Sequence, residues 1–297
     1  MHRNLLWLLL AILLFTCSLA QASGLYVRQV QNLPDDFFMG MDVSSVLSLE
    51  ASGVVYYDRE GTQKDLFQIL SENGVNLIRV RIWNDPFDSE GHGSGGGNNT
   101  LEAALAIGKR AAAYGLPLLV DFHYSDFWAD PSKQQAPKAW EGMAIKEKAE
   151  ALYTYTLECL KAFQANGIDV RLVQLGNETN GRLCGERIWM NIVHHLMKAG
   201  SRAVREVYPE ALVAVHFANP EVAENYLTYA SKLAYYDLDY DVFGTSYYPY
   251  WHGTLDNLKG VLSEIAETYG KKVMIMETSY AYRCAARSAG TRSIFPW

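Results

Sequence analysis

Apolar residues along this chain fall into seven short, nearly continuous runs, at about residues 37–43, 76–83, 117–123, 170–176, 212–218, 241–247 and 272–276. Runs of this length and density suit strands buried on both faces of a parallel sheet. Between them, near 59–73, 100–114, 145–166, 186–208, 221–236 and 255–269, apolar residues return at helical spacing; Leu66, Phe67, Ile69 and Leu70 mark the face in the first of these. Four of the helical stretches end in Asn73-Gly74, Tyr114-Gly115, Asn166-Gly167 and Tyr269-Gly270. In each case a glycine suited to a left-handed cap is followed within a few residues by the next apolar run. Strand and helix alternating this regularly predict a parallel sheet, either doubly wound or closed as a barrel.

The polar residues decide between the two. Asp42, Arg79 and Arg81, His123, Asn177 and Glu178, Asn219, Tyr247 and Tyr248, and Glu277 lie at the C-terminal ends of all seven strands. A ring of βα loops around one site requires that distribution, whereas an open sheet would gather its functional residues at one switch point. No glycine fingerprint follows the first strand, which runs into Ser44-Ser45, and this disfavours a dinucleotide fold. The expected fold is an α/β (β/α)8 TIM barrel with seven strands recognisable and the eighth missing.

Two of the strand ends carry the chemistry. Val170 to Leu175 runs into Gly176-Asn177-Glu178, and Lys272 to Met276 runs into Glu277. A core strand has no structural need of a carboxylate at its end. Two such glutamates meet the requirement of a retaining glycosidase: one acid to protonate the leaving oxygen and one carboxylate to attack the anomeric carbon, about 5–5.5 Å apart. The acid needs a raised pKa and the nucleophile a lowered one, the latter favoured by a neighbouring guanidinium. Arg79 and Arg81 share one strand parity and can both point inward; one of them is expected to pair with Glu277, the alternative being an ion pair with Asp42. His123 could bind substrate or orient a carboxylate, or be a satisfied polar core residue. Tyr247 or Tyr248 is expected beside Glu277.

Composition changes the picture less. With 297 residues, 49% hydrophobic and 20% charged, the chain suits one large globular domain. Residues 1–22 read as a secretory signal, with Arg3, an apolar core from Leu5 to Phe15 and a cleavage site at Ala20-Gln21-Ala22. A secreted, periplasmic or cell-surface protein with no membrane span in its mature form is therefore expected, a lipoprotein anchored through Cys17 being the alternative. Cys159, Cys184 and Cys284 remain, with no spacing that suggests a disulfide framework or a zinc site. The net charge is −7, although four arginines lie in acid-free terminal segments, so the body is more acidic still. Nucleic acid is an improbable partner for such a surface. The glycine-rich stretch Gly91 to Gly97 lacks the lysine of a phosphate-binding loop and reads as mobile. Phe127, Trp128, Trp140, Tyr250 and Trp251 stand in polar loops on the site's side and could stack on sugar rings or pack the loops themselves.

The motifs Gly40-Met41-Asp42-Val43-Ser44, Arg79 to Pro86, Asp121 to Pro131, Gly176-Asn177-Glu178, Ser246-Tyr247-Tyr248-Pro249 and Met276-Glu277-Thr278 together resemble glycoside hydrolase family 53, the arabinogalactan endo-β-1,4-galactanases. The resemblance covers about residues 37 to 282. It implies hydrolysis of β-1,4-galactan, the type I arabinogalactan of pectin, with Glu178 as acid/base and Glu277 as nucleophile. It also implies that Asn177 binds the sugar 2-hydroxyl, that no cofactor takes part, and that Asp42, Trp83, Asp126 and Trp128 are further substrate-binding candidates. Some relatives hold calcium in the loop after the seventh strand, and those ligands are absent from this sequence.

After Tyr282 the pattern stops. Residues 283–297 have no strand or helix period and an Arg/Ala/Ser/Gly bias, so they read as an aberrant tail to a catalytic domain spanning 23–282. Unpaired edges on the first and seventh strands are then expected. The chain is expected to be a monomer. Rival readings are a mannanase or xylanase of the same clan, a galactan-binding protein without catalysis, and a metal-dependent hydrolase using His123, His216 and Asp42.

Overall fold

The computed structural model describes residues 30–34 and 36–280. The expected signal segment and the 283–297 tail lie outside the described residues. The chain divides into two units, Met1–Phe37 and Phe38–Trp297; the described residues of the first hold no helix or strand.

The second unit is built on β1 (Gly40–Asp42), β4 (Leu77–Ile82), β5 (Leu118–Phe122), β6 (Val170–Leu175), β7 (Leu212–Phe217), β8 (Val242–Ser246) and β9 (Lys272–Glu277). These pair in that order, all parallel, into one seven-stranded sheet. Helices α2 (Leu66–Glu72), α3 (Leu101–Ala113), α4 (Ile145–Ala165), α5 (Lys198–Val207), α6 (Ala223–Tyr235) and α7 (Leu255–Tyr269) provide the crossovers. Each of the four glycines expected to cap a helix has positive φ, between 64° and 86°. The side chains of Asp65, Thr100 and Thr254 cap the N-termini of α2, α3 and α7, satisfying backbone N–H groups that have no intrahelical partner.

Three elements differ from the sequence reading. A six-residue helix α1 (Val46–Ala51) follows β1. Residues near the expected start of the first long helix instead form a small hairpin of β2 (Tyr56–Tyr57) and β3 (Gln63–Lys64). The stretch before α5 is a π-helix, Met190–Met197.

Strand alternation sorts the side chains into two regions. Outward residues such as Ile78, Val80, Val120, Phe122, Val173, Val215, Phe217 and Phe243 pack against the helices in the main core. Inward residues Leu77, Leu119, Leu172, Ala214, Val242 and Met276 form a second apolar cluster inside the curled sheet. Two positions further along the same strands the inward residues turn polar: Arg79, Asp121, Gln174 and His216. The site therefore sits on an apolar floor, as in a (β/α)8 barrel. Among the described residues β1 pairs only with β4 and β9 only with β8. At these free edges Met39, Met41, Val273 and Ile275 are 37–46% exposed.

Gly244 lies inside the sheet, where an added Cβ would come within 2.6 Å of Met276 Cγ and 2.8 Å of the Val215 carbonyl oxygen. The backbone contact cannot give way by a rotamer change. Gly244→Ala is expected to cost roughly 1–3 kcal/mol by overpacking, read as a lower urea midpoint; an unchanged midpoint would contradict this packing.

Candidate active site

The centre of the site is Arg79, the third residue of β4, whose guanidinium is almost wholly buried. Nη1 lies 3.0 Å from Asp42 Oδ2. Nη2 lies 2.8 Å from Asp121 Oδ2 and 2.9 Å from Glu277 Oε1, and also donates to Asn177 Oδ1 at 2.9 Å and Gln174 Oε1 at 3.3 Å. Burial works against its charge, yet the three carboxylates hold its pKa above the ordinary guanidinium value. The question left open by strand parity is thus resolved: Arg79 pairs with both Glu277 and Asp42, while Arg81 lies 3.6 Å from Asp42 and lays its guanidinium 4.1 Å over the Trp128 ring.

The two strand-end glutamates meet opposite surroundings. Burial of Glu178 and the negative charge of Glu277 push its carboxyl up to about 8. Burial also opposes ionisation of Glu277, but the Arg79 charge and a hydrogen bond from Tyr248 hold it below the usual carboxylate value. Tyr248 OH donates to Glu277 Oε2 at 2.9 Å, which settles the choice between the two tyrosines. Asp121, fully buried, would be raised by that burial, yet Arg79 and His123 hold it at about 2.

A tight turn presents Asn177 and Glu178. Gly176 has φ 87°, and a Cβ there would meet Thr179 Cγ2 at 2.6 Å. Glu178 itself has φ 45°, a strained conformation for a residue with a side chain. The turn is held by Gln134 Nε2 donating to the Asn177 carbonyl at 2.7 Å, and by Asn177 Nδ2 donating to the Ala129 carbonyl at 2.8 Å. Ser246 Oγ donates to Glu178 Oε1 at 2.6 Å.

Several candidates are corrected by their placement. His123 is 1% exposed; its Nδ1 accepts from Trp83 Nε1 at 3.2 Å and Ala129 N–H at 3.0 Å, which leaves Nε2 to donate to Asp121 at 3.1 Å. It is the satisfied polar core residue, not a group open to substrate. Trp83 is fully buried against it. Asp126 accepts from the backbone N–H groups of Asp85 and Lys138 and so ties two loops together. Tyr247 is buried; its hydroxyl donates to the Gly253 carbonyl, and it meets Glu277 through its backbone N–H, 2.8 Å from the Glu277 carbonyl oxygen. Asp42 does face Arg79 but spends its other oxygen on Ser44. Of the loop aromatics, Trp140 is buried against Tyr124 and Tyr155, Trp128 is half-buried, and Phe127, Tyr250 and Trp251 are 42%, 47% and 63% exposed.

Asp121 and Ser246 entered the sequence reading only as the first residues of family motifs, His216 only as a ligand of the rival metal site and Gln174 not at all, although inward parity along the strands, shared with Arg79 in β4, marks all four. Among the described residues no three His, Cys, Asp or Glu side chains converge as metal ligands, and no helix is long and apolar enough to cross a membrane.

Arg79→Ala would leave Asp121 and Glu277 as buried carboxylates without their cation. It is expected to lower stability by roughly 3–5 kcal/mol, with Arg79→Lys recovering only part because an ammonium cannot span the same partners. Denaturant unfolding decides, and parent-like stability of Arg79→Ala would contradict the central role given to this cation.

The model of glycosyl hydrolase family 53 matches residues 38–293. The chain is 52% identical over 262 residues to an endo-beta-1,4-galactanase of Bacillus subtilis, covering 88% of this chain and 61% of that protein. It is 36% identical over 259 residues to an arabinogalactan endo-beta-1,4-galactanase of Humicola insolens, covering 83% and 75%. Among solved structures, the GH53 catalytic domain of Ignisphaera aggregans superposes with a TM-score of 0.84 at 39% identity, covering 91% of this chain and 75% of that one. A GH10 xylanase of Thermobacillus composti, at 14% identity and TM-score 0.55, shares the fold alone over 86% of this chain and 73% of that one. The seven parallel strands are those of a TIM-barrel glycosidase, and the chain belongs to glycosyl hydrolase family 53.

Proposed function

We propose that the protein is an endo-acting β-1,4-galactanase that hydrolyses galactan, the type I arabinogalactan of pectin, with retention of anomeric configuration. The observation that carries this reading is the contrast in surroundings of two strand-end carboxyls: Glu277 meets the Arg79 guanidinium and the Tyr248 hydroxyl, whereas Glu178 is buried with the Ser246 hydroxyl. Glu178 is held protonated by burial and by Glu277, while Glu277 is held ionised by Arg79. An acid and a nucleophile are what a double displacement needs.

In the first step Glu277 attacks the anomeric carbon while Glu178 gives its proton to the departing glycosidic oxygen. A covalent galactosyl-enzyme results. Glu178, now a carboxylate, then takes a proton from water, which attacks the same carbon and releases Glu277. Tyr248 and Arg79 each hold one oxygen of Glu277 and so orient the nucleophile. Asn177 is the proposed partner of the sugar 2-hydroxyl. The half-buried Trp128 and the exposed Tyr250 and Trp251 offer apolar faces for sugar rings. The support for galactan over xylan or mannan is the family and the galactanases among its similar members. Export is proposed from the sequence pattern of residues 1–22, action as a monomer without a cofactor from the sequence reading, and a catalytic unit over 23–282 from the extent of the motifs.

The test is reducing-sugar release from β-1,4-galactan, with xylan and mannan alongside, and NMR of the first-formed anomer. Galactan should be cleaved with retention, and Glu178→Ala and Glu277→Ala should each lose about a thousandfold or more in rate. Activity should fall as pH rises through the Glu178 pKa, because the acid loses its proton. It should persist below the ordinary carboxylate range on the acid side, because Glu277 stays ionised. Cleavage of xylan but not galactan, or full activity in either variant, would overturn the proposal.

A further inference from the structure

We propose that Ser246 and His216 are positioning residues that keep Oε1 of Glu178 occupied as a hydrogen-bond acceptor and so assign the catalytic proton to Oε2. The inference rests on the acid/base reading of Glu178. A carboxylic acid has two oxygens, and only the one facing the glycosidic bond can deliver a proton usefully. Something must choose between them.

Ser246 ends β8 with its side chain on the inward parity and is fully buried. Its Oγ lies 2.6 Å from Glu178 Oε1 and, on its other side, 2.9 Å from His216 Nε2. A hydroxyl has one hydrogen, so the imidazole decides where it points. With a proton on Nε2, His216 donates to Oγ and the serine hydrogen goes to Glu178. With Nε2 bare, the ring competes for that hydrogen.

The surroundings of Nδ1 select the first state. Gln174 Nε2 at 3.0 Å and the Glu178 backbone N–H at 3.3 Å both point donors at it, which a lone pair accepts and an N–H would oppose. Asn177 Oδ1, 3.0 Å from Nδ1, could accept from an N–H there. That oxygen already takes a hydrogen bond from Arg79 at 2.9 Å, and it shares with Nδ1 and the Gly176 carbonyl the one Gln174 hydrogen not given to Asp121; these donors reduce the cost of facing a lone pair. Burial, joined by the charge of Arg79, holds the His216 pKa down at about 4, so the ring carries a single proton. Gln174 is itself fixed, because its amide nitrogen must donate to Asp121 Oδ1 at 2.7 Å. The order of donors thus runs from Gln174 through His216 and Ser246 to Glu178.

The other charged groups facing this chain are fixed by their own partners. Glu277 and Asp130 face Glu178 and disfavour its ionisation, and Arg79 favours it. Around His216 stand Glu277, Asp121, Arg79 and His123. The Ser246 hydrogen bond lowers the Glu178 pKa against its burial, since it is stronger to the carboxylate than to the acid. Removing it therefore raises that pKa.

The experiment uses the full chain, Ser246→Ala and Ser246→Cys, with circular dichroism as the check on folding. In Ser246→Ala the side-chain carboxyl carbon of Glu178, followed by 13C NMR, should titrate roughly half a unit to one unit higher than in the parent. The basic limb of the kcat profile on galactan should move with it, and kcat should fall roughly tenfold with KM within about twofold. Ser246→Cys, a weaker donor, should fall between. In the parent, 15N shifts of His216 should show Nε2 protonated and Nδ1 bare. An unshifted Glu178 titration in Ser246→Ala, or a His216 proton on Nδ1, would overturn the inference. If the parent does not cleave galactan, the titration and the imidazole shifts still decide it, so the two failures are distinct. If Ser246→Ala does not fold, the cysteine variant and the parent imidazole carry the decision.

Discussion

One buried cation organises this site. Arg79 brings its guanidinium inside the sheet, where an unpaired charge would be prohibitively costly, and meets Asp42 from β1, Asp121 from β5 and Glu277 from β9. Its remaining contacts reach Gln174 in β6 and Asn177 just beyond it. One side chain thereby ties together strands from both halves of the sheet. It also keeps Glu277 ionised, and the charge retained on Glu277 adds to burial in raising Glu178. The same ion pairs that satisfy a buried arginine set the two protonation states that glycoside hydrolysis needs.

That arrangement depends on strand alternation. Leu77, Leu119 and Leu172 place an apolar floor inside the sheet, and the next inward residues along those strands are Arg79, Asp121 and Gln174. A register slip of one residue would turn the whole polar layer outward into the helix-packed core. At the rim the chain leaves regular strand geometry. Glu178, in a left-handed conformation, is held there by Gln134 and Ser246, a local strain at the residue proposed to move the proton.

Much of this was legible in the sequence, for identifiable reasons. Seven strands and six crossover helices follow from apolar runs and helical spacing, and the glycines that end the helices do so with left-handed backbones. Helix α1 was missed because six residues carry too little periodicity to register, and the β2–β3 hairpin because two residues per strand carry none. In the site, Glu178, Glu277, Asn177, Arg79 and Tyr248 stood out as polar residues at strand ends, and they do converge. His123, Trp83 and Asp126 occupy similar positions in sequence, but their polar atoms are consumed by neighbours within the loops, a fact of packing that position alone does not carry. Gln174 was not singled out, and Asp121 and Ser246 entered only as the first residues of family motifs, because all three sit inside apolar or small-residue runs, where only their inward parity marks them.

The central claim is that the two glutamates hold opposite protonation states before any substrate binds. Site-resolved 13C titration of their side-chain carboxyls in the parent protein tests it most directly. The account predicts that Glu178 titrates well above the ordinary carboxylate range and Glu277 below it. Two carboxyls titrating together in the ordinary range near 4, or Glu277 above Glu178, would contradict it.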